Sequence, residues 1–239
     1  MTRFILRAQP ALLFLAAALL SCSADAHRSS GDTTSAAAAA QVASGAVAAK
    51  PASTQDTISH LADRGRILGD STAPVWVVMA SDFQCPYCKQ WHDAAFAGLV
   101  RDYVDTHRVR MAFLNMPLSM HQHAKAASEA AMCAAVQNKF WPMHDSLFAT
   151  QKIWEVMESP LSTFDTLANE NHVEMKAWRS CMTNHSTLPL IEADLDRART
   201  TGANSTPTFF VGTMMLAGAD ANVRGAIDSA LKAAAAKKP

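Results

Sequence analysis

Two cysteines two residues apart, Cys85 and Cys88, lie between a strand pattern and a helix pattern, and this constrains the fold most. The preceding run APVWVVMA, residues 73–80, is apolar and rich in valine, which indicates a strand buried on both faces. RVRMAFLNMP, residues 108–117, indicates a second strand. Parallel strands joined in this order place the cysteine pair at the end of the first strand and the head of the helix. Apolar residues at helical spacing after the pair are Trp91, Ala95, Phe96, Leu99, Val100, Tyr103 and Val104.

The remaining patterns complete a mixed α/β domain. Helix-forming segments dominate residues 124–182, and residues 188–202 return toward the sheet. TPTFFVGTMMLAG, residues 206–218, indicates two short strands, and residues 220–237 indicate a closing helix with Asp220 at its N-cap. We therefore expect a small mixed sheet with helices on its faces and an all-helical insertion at about 118–190.

The N-terminal residues indicate export. Arg3 and Arg7 give the chain a positively charged start. The apolar segment that follows, ALLFLAAALL, is shorter than the roughly 20 apolar residues that a membrane-spanning helix needs. LLSC resembles a bacterial lipobox, so we expect a signal peptide at residues 1–22 with cleavage before a lipidated Cys22. An ordinary site after Ala26 is the alternative. Residues 23–57 are rich in Ala, Ser and Thr and predict a flexible tether ahead of a folded domain at 58–239.

Composition excludes several classes of protein. The chain has 21 basic and 21 acidic residues, and no basic run precedes the terminal Lys237–Lys238 pair, so nucleic acid is not an expected partner. No repeat of 20 to 50 residues is visible, which argues against solenoids and propellers. No Ser/His/Asp set, phosphate-binding glycine loop or paired-carboxylate site is recognisable, and we expect neither a cofactor nor a bound metal.

The cysteines themselves favour redox chemistry. A helix N-terminus stabilises an anion, so Cys85 is expected to react as a thiolate while the more buried Cys88 resolves the mixed disulfide. Structural zinc needs four ligands, and Cys133 and Cys181 stand 48 positions apart without neighbouring ligands. The count of five cysteines is odd. If Cys22 carries lipid, Cys133 and Cys181 are left to bond each other; two buried free thiols are the alternative.

These stretches together resemble the DsbA-like branch of the thioredoxin superfamily, over about residues 66–235. The resemblance implies a thioredoxin-like fold and thiol–disulfide exchange with cysteines of exported proteins. It also implies that Pro207 is a cis-proline facing the cysteines. The residues expected to support the active site are Pro86, Tyr87, Thr206 and Pro207. Relatives often carry a glutamate six residues before the first cysteine, where this chain has Met79 and its nearest acid is Asp82.

The expected enzyme is a lipid-anchored monomer that acts as an oxidase in oxidative folding and is reoxidised by a membrane redox partner. A reductase or isomerase of the same fold is one alternative, because small changes in thiolate stability move the redox potential. A Cu(I) carrier that uses the cysteine pair with nearby sulfur and imidazole groups is another. Those groups, for which core packing and a solvated helix start are the simpler interpretation, are Met116, Met120, His121 and His123.

Overall fold

The computed structural model describes residues 53–236, and the predicted signal peptide and nearly all of the predicted tether lie outside that range. Five short strands and nine helices follow one another there. The strands are β1 Ile67–Leu68, β2 Val75–Ser81, β3 Val109–Asn115, β4 Thr208–Val211 and β5 Met214–Ala217. The helices are α1 Thr54–Gly65, α2 at 86–104, α3 Ala124–Ala135, α4 Phe140–Ala149, α5 Gln151–Trp154, α6 Leu161–Glu170, α7 Met175–Thr183, α8 Leu188–Thr200 and α9 Val223–Ala236.

The strands form a single mixed sheet in the order β1-β3-β2-β4-β5. β2 and β3 are parallel, as a crossover through α2 requires, and the other neighbours are antiparallel. β2 lies at the centre. Its first half alternates in burial, with Trp76 41% exposed between the buried Val75 and Val77, and only its last three residues are buried on both faces as the sequence predicted for the whole strand. The predicted thioredoxin-like fold, a mixed sheet flanked by helices, is confirmed.

The helix that follows the cysteine pair is irregular in its hydrogen bonding. It is α-helical at Pro86–Trp91, π-helical at His92–Phe96, α-helical at Ala97–Leu99 and π-helical at Val100–Val104. Trp91, Phe96 and Leu99 are buried as their spacing predicts. The π-helical turns have no signature in the apolar spacing, so the sequence pattern could not predict them.

Six helices separate β3 from β4. The first and fifth of them, α3 and α7, are joined by the Trp178 Nε1–H, which donates to the Ala130 carbonyl at 3.1 Å, and by a bond between Cys133 and Cys181. The last of them, α8, packs against β3. Because α8 ends at Thr200, the helical region continues beyond position 190, where we had placed the end of the insertion. No helix within residues 53–236 combines the length and the apolar character that crossing a membrane demands.

Three local features differ from expectation. Ser53 caps a first helix that begins at Thr54, so residues 54–57, which we assigned to the tether, are helical. The two-residue strand β1 was too short to leave a pattern. The closing helix begins at Val223, and the Asn222 Oδ1 accepts the Gly225 N–H at 3.0 Å; Asn222, rather than Asp220, is therefore its N-cap.

A buried ion pair fastens α1 and α8 to the sheet. The Arg66 guanidinium, 4% exposed, binds the carboxylate of the fully buried Asp194. Asp194 also accepts the backbone N–H of Asn115, at 3.1 Å, and its side-chain amide, at 2.8 Å. These bonds satisfy the carboxylate, which is the condition under which a buried charge is tolerated.

Candidate active site

The loop between β2 and α2 fixes the position of Cys85. The Asp82 Oδ1 accepts the Gln84 N–H at 2.7 Å, and the Asp82 carbonyl accepts the Cys85 N–H at 3.1 Å. Cys85 is the N-cap residue of α2, with φ −71° and ψ 124°, and Pro86 follows at the first helical position. Proline suits that position because its missing N–H would have no intrahelical partner. The first cysteine therefore stands at the head of the helix, with its backbone held in place.

The surroundings of Cys85 favour its thiolate. They lower the pKa of Cys85 to about 6, chiefly through a hydrogen bond from the Cys88 thiol. Burial opposes this effect, while the Thr206 side chain and the backbone N–H groups of Cys88 and Tyr87 add to it. These N–H groups are the ones that a helix start leaves unpaired. The helix start, which the sequence predicted as the cause, therefore lowers the pKa of Cys85, but the Cys88 thiol lowers it more.

Cys88 is the opposite case. Burial, together with the hydrogen bond that it donates to Cys85, raises the pKa of Cys88 well above its usual value. Its Sγ accepts the Asp82 N–H at 3.5 Å. Cys85 is 3% exposed and Cys88 is 1% exposed, so the expected difference in burial is small. Hydrogen bonding and charge, rather than access alone, distinguish the two sulfurs.

A cis peptide bond joins Thr206 to Pro207 on the neighbouring loop. β4 begins directly afterwards, and its register pairs Thr208 with Ala80 of β2. The loop consequently lies beside the cysteines, and the Cys85 Sγ is 3.5 Å from the Thr206 carbonyl oxygen. The structure thus brings together four residues that the sequence singled out: Cys85, Cys88, Thr206 and Pro207. Pro86 and Tyr87 lie between the two cysteines.

His121 is a site residue whose role the sequence did not reveal. Its Nδ1 lies 2.7 Å from the Oδ2 of Asp82, a fully buried carboxylate that also accepts the Leu118 N–H at 2.8 Å. The hydrogen bond to Asp82 raises the pKa of His121, and the charges of Cys85 and Glu155 add to that effect. We expected a solvated histidine here, because nothing in the sequence pairs a loop histidine with an acid 39 residues earlier.

The remaining sulfur and imidazole groups of this segment do not gather around the cysteines. Met116 is buried in a small apolar cluster, while Met120 is 81% exposed. His123 is buried rather than solvated, and its Nε2 lies 2.7 Å from the Met157 carbonyl oxygen. This placement offers no support to the Cu(I) alternative.

Cys133 and Cys181 lie apart from the redox pair, in the helical region. Their sulfur atoms are 1.96 Å apart and their Cα atoms are 5.8 Å apart, and the bond links α3 to α7. Cys85 and Cys88 are unbonded thiols. Cys22, the predicted lipidation site, falls outside the described residues.

Exposed apolar side chains occur on segments next to the cysteine turn. Tyr87, between the cysteines, is 61% exposed, and Val156 is 79% exposed. The Gln84 Nε2 donates to the Glu155 carbonyl at 3.4 Å, which ties the segment carrying Val156 to the turn before Cys85. We call the exposed side chains of these adjoining segments the apolar rim: Tyr87, Met120, Ile153 and Val156.

Known proteins are similar to this chain in sequence. The Thioredoxin_4 family model, described as thioredoxin, matches residues 61–229. The Na(+)/H(+) antiporter NhaA 3 of Salinispora tropica is 36% identical over 150 residues, which are 62% of this chain but only 22% of the antiporter. The probable disulfide bond formation protein D of Bacillus anthracis is 25% identical over 170 residues, 69% of this chain and 77% of that protein.

Solved structures agree on the fold. Oxidised BdbD from Bacillus subtilis superposes with a TM-score of 0.64 at 24% identity, covering 71% of this chain and 94% of that chain. Alpha-DsbA1 from Wolbachia pipientis gives 0.64 at 20% identity, covering 72% and 93%. The fold is that of the DsbA-like structures, and the paired cysteines stand at the helix start where the sequence predicted them for a thiol–disulfide oxidoreductase of that class. The chain belongs to the Thioredoxin_4 family.

Proposed function

We propose that this protein exchanges a Cys85–Cys88 disulfide with cysteines of exported proteins and acts as an oxidase in their folding. One observation carries the proposal: the pKa of Cys85 is lowered to about 6 while that of Cys88 is raised. A stabilised thiolate favours the reduced form of the pair, so the oxidised form readily gives up its disulfide. The names of relatives, among them the disulfide bond formation protein D of Bacillus subtilis, support this direction.

The exchange has two steps. A substrate thiolate attacks the Cys85 Sγ, the bond between Cys85 and Cys88 breaks, and Cys88 leaves with the electron pair and takes up one proton. The second substrate thiolate then attacks the substrate sulfur of the mixed disulfide, which forms the substrate disulfide and expels Cys85 as a thiolate. A thiolate of low pKa is the better leaving group, so the second step benefits from the surroundings of Cys85. Relatives often carry an acid where this chain has Met79. In this chain, Asp82 and His121 take its place and form the route by which a proton reaches Cys88.

The substrates are polypeptide segments. The apolar rim offers side chains to an unfolded chain, which exposes apolar residues around its cysteines. Thr206 and Pro207 line the same face, and the Thr206 backbone pairs with the substrate backbone, as in the addition of a strand to a sheet edge. Pro86 and Tyr87 shape the surface immediately around the reacting sulfur.

The location that we propose for this function is the periplasmic side of a bacterial membrane. Residues 1–22 act as a lipoprotein signal, Cys22 carries the lipid, and the residues that follow lead to the catalytic domain, whose first helix begins at Thr54. The enzyme acts as a monomer on the periplasmic side, where disulfides persist. A membrane redox partner removes the electrons and restores the Cys85–Cys88 disulfide. Because this chain spans about a fifth of the length of its antiporter relatives, 22%, their transport activity carries no weight here.

Refolding of a reduced secreted ribonuclease tests the proposal. Stoichiometric oxidised protein should transfer its disulfide and restore ribonuclease activity, and Cys85→Ser should abolish the transfer. His107→Asn, at an exposed site beside Asp70, is the matched control and should behave as the wild type. Reduction of insulin disulfides without oxidation of ribonuclease would instead identify a reductase. Both assays are also run with a copper chelator. Disulfide exchange that continues in the chelator favours the enzyme over the Cu(I) carrier, because exchange between thiols and disulfides needs no metal.

A further inference from the structure

A second cluster of chemically reactive side chains lies between the redox helix and the helical region. His92 belongs to α2, one turn after Cys88, and His144 and Asp145 belong to α4. The Asp145 Oδ1 is 2.8 Å from the His144 Nδ1 and 3.1 Å from the His92 Nε2. One ligand atom from each of the three residues lies within 4.8 Å of the other two. This is the only such group of three found among residues 53–236.

His92 is oriented as a metal ligand usually is. Its Nδ1 lies 3.1 Å from the Asp93 Oδ1, while its Nε2 faces the cluster. Metal-binding histidines nearly always donate their second N–H to a carboxylate or carbonyl, which fixes the tautomer and presents the other nitrogen to the metal. Lys89 balances the charge of Asp93, since its Nζ is 2.9 Å from the Asp93 Oδ2. Within the part of the chain that the structure describes, the carboxylate of Asp145 has no such cation beside it and contacts the two imidazoles.

His144 supplies the independent observation. Its side chain is fully buried and its Nε2 has no hydrogen-bond partner among residues 53–236. Aromatic rings surround the imidazole with their planes roughly perpendicular to it, including those of Phe83, Phe113 and Phe148, whose centroids lie 5.8, 5.5 and 5.0 Å from the imidazole centroid. If Nδ1–H donates to Asp145, Nε2 leaves a bare lone pair among apolar rings. A metal on Nδ1 places the hydrogen on Nε2 instead, where an N–H can point at aromatic electron density. Metal binding therefore resolves a buried polar atom that protein contacts leave unsatisfied.

We propose that the His92 Nε2, the His144 Nδ1 and a carboxylate oxygen of Asp145 bind a Zn²⁺ ion. Two imidazoles and one carboxylate form a common zinc donor set, and the half-exposed Asp145 leaves room for a water as fourth ligand. Bond lengths of about 2.0–2.1 Å in a tetrahedron separate ligand atoms by roughly 3.3 Å. The two distances to the Asp145 Oδ1 are 2.8 and 3.1 Å, and the two histidine nitrogens lie within 4.8 Å of each other, so small side-chain adjustments form the site. The ion replaces the protons that now hold the three side chains together.

The site would brace the redox helix. α2 begins at the reacting sulfur and α4 belongs to the helical region, so an ion held by His92 from one and by His144 and Asp145 from the other joins the two. The sequence offered no signal for it, because the histidines are 52 positions apart and only the fold brings them together. The ion takes no part in the disulfide exchange, so this inference does not depend on the proposed function.

Zinc binding to the full-length protein tests the site. The Cys85–Cys88 pair is first oxidised, so that free thiols cannot bind the metal, and Zn²⁺ is titrated calorimetrically and in competition with a chromophoric chelator. The wild type should bind one equivalent of Zn²⁺. The Asp145→Asn and His92→Gln variants should bind it with an affinity at least tenfold lower. Asp93→Asn should weaken it about 10–100-fold, as loss of an outer-sphere partner does. His107→Gln removes an exposed histidine elsewhere and should change nothing.

Cobalt gives a second readout. Co²⁺ in the same oxidised protein should show the intense d–d absorption of a tetrahedral site, and Asp145→Asn should abolish it. Because Asp145 is half exposed and Asn has the same shape, this variant keeps the fold, which near-ultraviolet circular dichroism checks. Failure of the wild type to bind one equivalent overturns the proposal. Equal affinity in wild type, Asp145→Asn and His92→Gln overturns it as well, and reduces the cluster to a hydrogen-bonded triad.

Discussion

Removal of the Cys88 thiol should raise the pKa of Cys85. The structure makes the hydrogen bond from Cys88 the largest cause of the lowered value of about 6. A hydrogen bond to a charged group contributes roughly 1.5–3 kcal/mol, and each pH unit corresponds to about 1.36 kcal/mol. Cys88→Ala should therefore raise the pKa of Cys85 by about 1 to 2 pH units. Cys88→Ser is the matched variant, because its hydroxyl can still donate, and it should titrate close to the reduced wild type.

The assay is the rate of alkylation of Cys85 by iodoacetamide as a function of pH, with thiolate ultraviolet absorbance as a second probe. With a pKa of about 6, about nine-tenths of Cys85 is thiolate at pH 7, whereas a thiol at the usual 9.0 would be about 1% ionised. The alanine variant should fall between these limits. If the alanine and serine variants titrate together at the low value, the neighbouring thiol is not the main cause. Thr206 and the backbone N–H groups of the helix start would then account for the lowered pKa.

Three further predictions concern stability. The low pKa of Cys85 should stabilise the folded state of the reduced protein. The stabilisation is complete above pH 9, amounts to about 1.4 kcal/mol at pH 7 and is lost as the pH falls through about 6. Urea unfolding of the reduced protein between pH 5 and 9 measures it. Replacing both Cys133 and Cys181 by alanine should lower the free energy of unfolding by roughly 4 kcal/mol, since the bond closes a loop across 48 positions; an unchanged urea midpoint would contradict this. Asp194→Asn should cost up to roughly 3–5 kcal/mol, because it removes the buried partner of the Arg66 charge and leaves only the half-exposed Asp63 carboxylate beside it, and the alkylation profile of Cys85 should stay the same.

The sequence predicted the fold through periodicity. The buried valines of β2, the spacing of Trp91, Phe96 and Leu99, and the alternation in β3 are local patterns that burial imposes, and the structure has these elements. The closing helix was found but its cap was misplaced by two residues, since Asp220 and Asn222 are both good N-caps and only the backbone decides between them. Element ends depend on such local competition.

The candidate site was predictable where chemistry follows spacing along the chain. Cys85 and Cys88 are three positions apart at a helix start, and the opposite roles that we propose for them follow from that position. The pairing of Asp82 with His121 and the meeting of His92 with His144 depend on how distant segments pack. No local pattern encodes such contacts. The lowered pKa of Cys85 was expected, but its main cause, the Cys88 thiol, required the geometry of the site.

The reduction potential of the Cys85–Cys88 pair, measured at equilibrium with glutathione, tests the central claim most directly. The account predicts a reversible two-electron couple between about −270 and −120 mV, the range of working CxxC oxidoreductases, and none in Cys85→Ser. The thiolate at Cys85 should place it toward the oxidising end, with about 30 mV for each 1.4 kcal/mol by which the thiolate is stabilised. A potential below about −300 mV would mark a structural disulfide and contradict the account, as would two thiols that cannot be joined at all.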